Sequence, residues 1–174
     1  MKVIFKVSIF VFFILNIGYL GMCSVKNVNS RVCVFCETTT NICVYDYEKI
    51  FTDKERNMLS EIIKKYKELT KKEILVITTP SIGDFSDIQE YANNIGSTYS
   101  IDVKNENVVT LAISKKMRKI GIATSPRARK NITDQISLDI IREIMIPEIK
   151  QGFYYNGVRQ GINEIIKKWN VKES

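Results

Sequence analysis

Residues 107–124 read NVVTLAISKKMRKIGIAT. Two apolar, β-branched runs, Asn107 to Ser114 and Arg118 to Thr124, are separated only by Lys115, Lys116 and Met117. That is hairpin spacing, and it predicts an antiparallel pair of strands. Upstream, Glu73 to Thr79 reads EILVITT, a continuous apolar run of strand length closed by Pro80. Such a run is the mark of a strand covered on both faces.

Helical patterns surround these strands. Thr52 and Glu55 form a capping box, and Met58, Leu59, Ile62, Ile63, Tyr66 and Leu69 trace one apolar stripe, so a helix is predicted over Thr52 to Leu69. Ser86 and Gln89 open a second helix with Ile88, Tyr91, Ala92, Ile95 and Tyr99 on its inner face. Thr133 caps a third, with a stripe of Ile136, Ile140, Ile141, Ile144 and Met145 that Pro147 interrupts. A fourth carries Val158, Ile162, Ile165, Ile166 and Trp169. The order is helix, strand, helix, strand-turn-strand, helix, helix. Strands joined through helices form parallel pairs with right-handed crossovers. The expected fold is therefore α/β: a three-layer α/β/α sandwich around a short mixed sheet that includes one antiparallel hairpin.

The N-terminus reads differently. Lys2 and Lys6 precede Ile9 to Leu15, and Val7 to Val25 is an uncharged run of 19 residues. A basic start, an apolar run and then Gly18 and Gly21 make a secretory signal over residues 1–22. The run is also long enough for a retained membrane anchor. Cys23, after Leu20-Gly21-Met22, offers a third outcome, lipidation of an exported lipoprotein, although Met22 is bulkier than signal peptidases favour. In each case the folded part works outside the cytoplasm, in the periplasm or tethered to a membrane. Residues 23–43 form a linker bearing Cys33, Cys36 and Cys43. Zinc would need a fourth ligand, and there is no His to supply it. In an oxidising compartment one disulfide among these three cysteines is expected.

The remaining 150 or so residues suit one domain with a sizeable core. Apolar residues make up 45% of the chain and charged residues 26%, which excludes a disordered composition. With 26 Lys+Arg and 19 Asp+Glu the net charge is +7, and loss of Lys2 and Lys6 with the signal would leave +5. The basic residues are scattered along helices without interleaved aromatics, so nucleic acid is not the expected partner. A membrane or a protein complex of the cell envelope suits a modest positive excess better. The absence of histidine removes Ser-His-Asp triads, Cys-His dyads, His-ligated metals and a His base. No phosphate-binding glycine loop, GxSxG or HExxH occurs.

Oxygen ligands for a hard cation, Ca²⁺ or Mg²⁺, are the chemistry left. Open sheets bind ligands at strand ends. Asp46 precedes the first helix too early to cap it, Asp84 lies in the loop after the 73–79 strand, and Thr133 and Asp134 start the third helix. Three loops gathered at one sheet edge would bring Asp46, Asp84, Thr133 and Asp134 together. Each also has a structural role open to it: acids suit the first turn of a helix and the turn after Gly83. Arg127, Arg129 and Lys130, beside a helix start, make an anion site the competing expectation.

Val44-Tyr45-Asp46-Tyr47, then Phe51-Thr52 with its helix, then ILVITT, resembles the opening of the TPM domain. That family is named for a thylakoid lumen protein, a photosystem II repair protein and a worm receptor modulator, and includes many exported bacterial proteins. Ile88 to Ala92, the hairpin at Asn107 to Ile120, Ile132-Thr133-Asp134, and Ile146-Pro147-Glu148 with Lys150, Gly152, Tyr154, Gly157 and Gly161 resemble later family motifs in the same order. The resemblance spans Val44 to Trp169, giving a TPM-like domain over residues 44–170. It implies the α/β/α sandwich, Ca²⁺ binding in some members, and an acid phosphatase activity reported for a plant member. By that resemblance Asp46, Thr133 and Asp134 carry over as ligands. The chain departs from the family at Asn107-Val108, where the family has NG, and in the loop that follows the hairpin. Ser125 and Arg127 stand where the family has glycines, and Arg129 where it has an acid, changes that oppose a cation there. Two functions are therefore expected in competition. One is a non-catalytic binding or assembly module of the envelope, and the other a metal-assisted phosphomonoesterase.

Overall fold

A computed structural model of the chain describes residues 42–171. The signal or anchor at 1–22, and Cys23, Cys33 and Cys36 of the linker, lie outside the described residues. Among those described, no helix is long and apolar enough to cross a membrane.

The elements are β1 (Val44–Asp46), α1 (Asp53–Thr70), β2 (Glu73–Thr78), α2 (Ile88–Asp102), β3 (Val108–Ser114), β4 (Lys119–Thr124), α3 (Asp134–Asp139), α4 (Ile146–Lys150) and α5 (Tyr154–Trp169). They form a four-stranded sheet of order β1-β2-β3-β4. β1, β2 and β3 run parallel, and β4 returns antiparallel to β3. The hairpin is the predicted one, with Ser114 opposite Lys119. β1 has only three residues, too few to show an alternation, and is an edge strand the sequence did not announce.

Alternation divides the core into two layers. Ile74, Val76, Val109, Leu111, Ile113 and Ile122 face α1, α5 and the helix begun by α3, in a core that includes Leu59, Ile162, Ile165 and Trp169. Leu75, Ile77, Ala112 and Ala123 face α2, meeting Ile88, Tyr91, Ala92 and Ile95. Over β3 and β4 this layer presents small residues, Ala112, Gly121 and Ala123, so α2 lies close there. A Cβ on Gly121 would come within 3.0 Å of the Ile88 carbonyl, and one on Gly96 within 2.5 Å of Thr110 Oγ1. Glycine at both positions lets the helix settle onto β3 and β4.

The caps explain the helix limits. Thr52 Oγ1 accepts from the Glu55 N–H at 3.2 Å while Glu55 Oε2 accepts from the Thr52 N–H at 2.8 Å, the reciprocal pair the sequence predicts. α2 starts one residue away from expectation. Asp87, not Ser86, is its N-cap, accepting from the Glu90 N–H at 2.8 Å, and Glu90 reaches back to the Ser86 N–H at 2.9 Å. Thr133 caps α3 through the Ile136 N–H.

Pro147 does not break the third helix as expected. Between α3 and α4 the chain stays helical over Ile140–Met145 in a wider π turn, with the Ile146 N–H on the Ile141 carbonyl. A proline inside an α-helix lacks one N–H and clashes with the carbonyl four residues back. A local shift to the five-residue bond spacing relieves that clash, the usual basis of a π-bulge. The bulge packs against α5, where a Cβ on Gly157 would meet the Met145 carbonyl at 3.0 Å and one on Gly161 the Met145 sulfur at 2.8 Å. Glycines four apart on one face of α5 thus accommodate the widened turn.

Candidate functional site

At the carboxyl ends of the parallel strands, loop polar groups knit together. Asp46 ends β1 opposite Thr78, the last residue of β2. Its Oδ1 accepts from the Ile50 N–H at 3.1 Å and from the Thr78 hydroxyl at 2.6 Å, and its Oδ2 accepts from the Phe51 N–H at 2.9 Å. The Thr78 hydroxyl in turn accepts from the Glu48 N–H at 3.0 Å. Glu48 then spans to the hairpin turn, where its carboxylate accepts from the Lys115 N–H at 2.7 Å and the Lys116 N–H at 3.0 Å. Asp46 therefore holds the turn into α1 in place with both oxygens engaged. Asp84 is exposed in the turn after Gly83, whose φ is +62°.

Thr133, Asp134 and the basic loop stand elsewhere. Because β4 is antiparallel, its carboxyl end, Thr124, lies beside Val109 at the amino end of β3, while Thr78 lies beside Ile113. Four strand residues separate the two positions, about 13 Å at roughly 3.3 Å per residue. Ligands of one calcium ion each sit within about 2.6 Å of it. The expectation that three loops meet at one sheet edge is thus corrected: Asp46 and Asp84 stand at one end, Thr133 and Asp134 at the other. The physical reason is the direction of β4. A strand returning through a hairpin delivers its following loop to the opposite side from its parallel neighbours. Among the described residues no three acid or thiol groups are close enough to hold a metal, so this donor set does not fit a shared Ca²⁺ or Mg²⁺.

The basic loop is tied down by local pairs. Ser125 donates its hydroxyl to the Glu106 carbonyl and accepts from the Val108 N–H at 3.0 Å. Arg127 faces Glu106 at 3.9 Å. Arg129 faces Asp134 at 3.6 Å and donates to the Thr124 hydroxyl at 3.3 Å. Lys130 ends a short 3₁₀ turn, Ala128–Lys130, and is exposed. Asp134 is an exposed acid in the first turn of α3, beside the Arg129 guanidinium. Exposed pairs of this kind contribute about 1 kcal/mol or less each.

The fold gives two groups a setting that the sequence did not show. Cys43 is buried with its thiol on the Ser60 carbonyl at 3.7 Å, a free cysteine among the described residues, while Cys33 and Cys36 lie outside them. Burial pushes this thiol's pKa up, so it stays protonated and unreactive at neutral pH. Glu73, at the start of β2, is buried and carries a polar cluster. It accepts from the Tyr99 hydroxyl at 2.5 Å and from Asn105 Nδ2 at 2.9 Å, with Lys67 Nζ at 3.2 Å. An acid opening a hydrophobic strand was the available signal. Tyr99 comes from the expected inner face of α2, but only the fold shows that the two meet.

This cluster and Tyr66 predict the response to alkali. Burial raises the Tyr66 phenol to about 12. Tyr99 is raised too, by burial first and then by the Glu73 carboxylate that it faces. A phenol whose folded pKa exceeds its unfolded value gives its full stability below the unfolded pKa, near 10. That stability is lost as pH rises from there through the folded pKa. Melting temperature should be level between about pH 7 and 9 and fall steeply between about pH 10 and 12. A Tyr66→Phe, Tyr99→Phe double variant should fall less steeply; an unchanged slope would show that other groups carry it.

The class these features define is a three-layer α/β/α domain with polar groups at both ends of an open mixed sheet. The family model of the TPM domain matches residues 44–168, and the chain belongs to the TPM domain family. Similar solved structures include the N-terminal domain of a protein from P. gingivalis, at TM-score 0.66 and 20% identity, covering 73% of this chain and 81% of that one. The N-terminal domain of the cg2496 protein from Corynebacterium glutamicum follows at 0.57 and 16%, covering 79% and 88%. The BA42 protein from Bizionia argentinensis matches at 0.55 and 21%, covering 71% and 83%. At these identities the likeness is one of fold. No curated protein matches the chain in sequence.

Proposed function

We propose that this chain is a non-catalytic binding module, exported or held at a membrane by its N-terminus, that serves a protein complex of the cell envelope. One observation supports this reading above the others. The acids that a cation site would need are divided between opposite ends of the sheet, and both oxygens of Asp46 already serve its own turn. Export and attachment rest on residues 1–22, with Cys23 as the residue for lipidation.

Melting the protein in EDTA, Ca²⁺, Mg²⁺ and inorganic phosphate tests the reading. A ligand at a hundred times its Kd adds about 2.7 kcal/mol, several degrees for a domain of this size. Neither cation is expected to shift the transition. A Ca²⁺ shift that Asp134→Ala abolishes would overturn the reading and restore the alternative, a metal-assisted acid phosphatase in which Arg127 or Arg129 would neutralise phosphoryl oxygens. A shift with phosphate alone would make Arg127, Arg129 and Lys130 an anion-binding face of the same module.

A further inference from the structure

The β4 edge carries no neighbouring strand among the described residues. Ile122 turns its carbonyl away from β3 and accepts from Gln89 Nε2 at 2.8 Å. Backbone groups in an antiparallel strand alternate direction, so those of Ile120, two residues earlier, also face outward. They open onto a groove of about 1190 Å³ between the start of α2 and the helix formed by α3, the π turn and α4. Its wall is apolar, from Ile120, Leu138, Ile141, Ile146 and Ile149, and Leu138 is 42% exposed there. Its rim holds Lys115, Arg118, Lys119 and Lys150 against one acid, Asp87.

We propose that this groove docks an extended, acidic peptide segment of a partner protein, which adds to β4 as a further strand. The inference rests on the binding-module reading and names the partner's chemistry. Charge decides between occupants. A second copy of this chain pairing edge to edge would bring the same four cations against these four, and basic side chains on an edge strand oppose such self-pairing. A segment bearing Asp or Glu meets the opposite condition. Main-chain bonds to Ile120 would set its register, and alternate side chains would reach the apolar wall. Gln89, holding the Ile122 carbonyl, ends the open stretch and limits the pairing to the hairpin end of β4.

The test is selection of short random peptides displayed against the protein, followed by synthesis of the enriched sequences. Enriched peptides should alternate apolar residues with Asp or Glu and bind more weakly as salt rises. Lys119→Glu with Lys150→Glu, and separately Leu138→Glu, should weaken them by roughly tenfold or more. These side chains are exposed, and an unchanged melting temperature would confirm that the variants fold. N-methylation at one alternating set of peptide positions should abolish binding, and at the other set leave it intact. No enrichment, enrichment without acids, or tolerance of N-methylation everywhere would overturn the proposal. Peptides lost with Arg129→Glu but not with the groove variants would overturn this site while leaving the module reading intact. A Ca²⁺ shift abolished by Asp134→Ala would instead sink that reading, whatever the peptides do.

Discussion

Asp46→Ala lowers the stability of the domain by about 2–3 kcal/mol, and by the same amount in EDTA as in Ca²⁺. The carboxylate accepts two backbone N–H groups and the Thr78 hydroxyl, and hydrogen bonds to a charged group are worth about 1.5–3 kcal/mol each when their partners are left unmatched. The site is only half buried, so water recovers part of that. The loss corresponds to a fall in Tm of roughly 6–12 °C at this size. Asp46→Asn keeps one acceptor oxygen and should fall about half as far. A cation ligand would behave in the opposite way. Its removal would leave the metal-free protein nearly unchanged, or even relieve repulsion, and would erase a gain seen only with Ca²⁺. Melting curves of the two variants with and without the cation therefore separate an architectural acid from a ligand.

Trp169→Ala is the largest loss expected from a single side chain, about 3–5 kcal/mol. Trp169 is 1% exposed at the end of α5. Its ring lies 6.0 Å from that of Tyr66 on α1, and Lys72 sits 5.4 Å above it while donating to the Trp169 carbonyl at 2.7 Å. The indole thus joins the last helix to the first and to the start of β2. Removing it opens a cavity between three elements that cannot all close inward, because β2 is held on both sides by its neighbours. Chemical denaturation should show a lower midpoint with a similar slope. A loss below about 1 kcal/mol would mean that the end of α5 is free to collapse onto the gap.

Much of the domain could be read from residues near one another in the chain. Thr52 with Glu55, the stripes on α1, α2 and α5, the 107–124 hairpin and the run at 73–79 are local patterns, and each is an element of the structure. The errors were also local in origin. Pro147 reads as a break, but the π turn that absorbs it depends on Gly157 and Gly161 facing it from another helix. β1 is too short to carry a pattern, and it exists because β2 offers an edge to pair with.

For the candidate site the division is sharper. The residue types were visible: acids at Asp46, Asp84 and Asp134, the threonine cap, the arginines at Arg127 and Arg129. Their grouping was not, because it follows from the direction of β4 and from which hydrogen bonds the folded loops leave open. Periodicity and composition, which act over a few residues, determined by themselves the α/β class, the caps and the basic character of the chain. The separation of the acids, the burial of Cys43 and Glu73, and the open β4 edge were decided only when distant segments packed. Strand direction and burial belong to the whole sheet and not to any window of sequence.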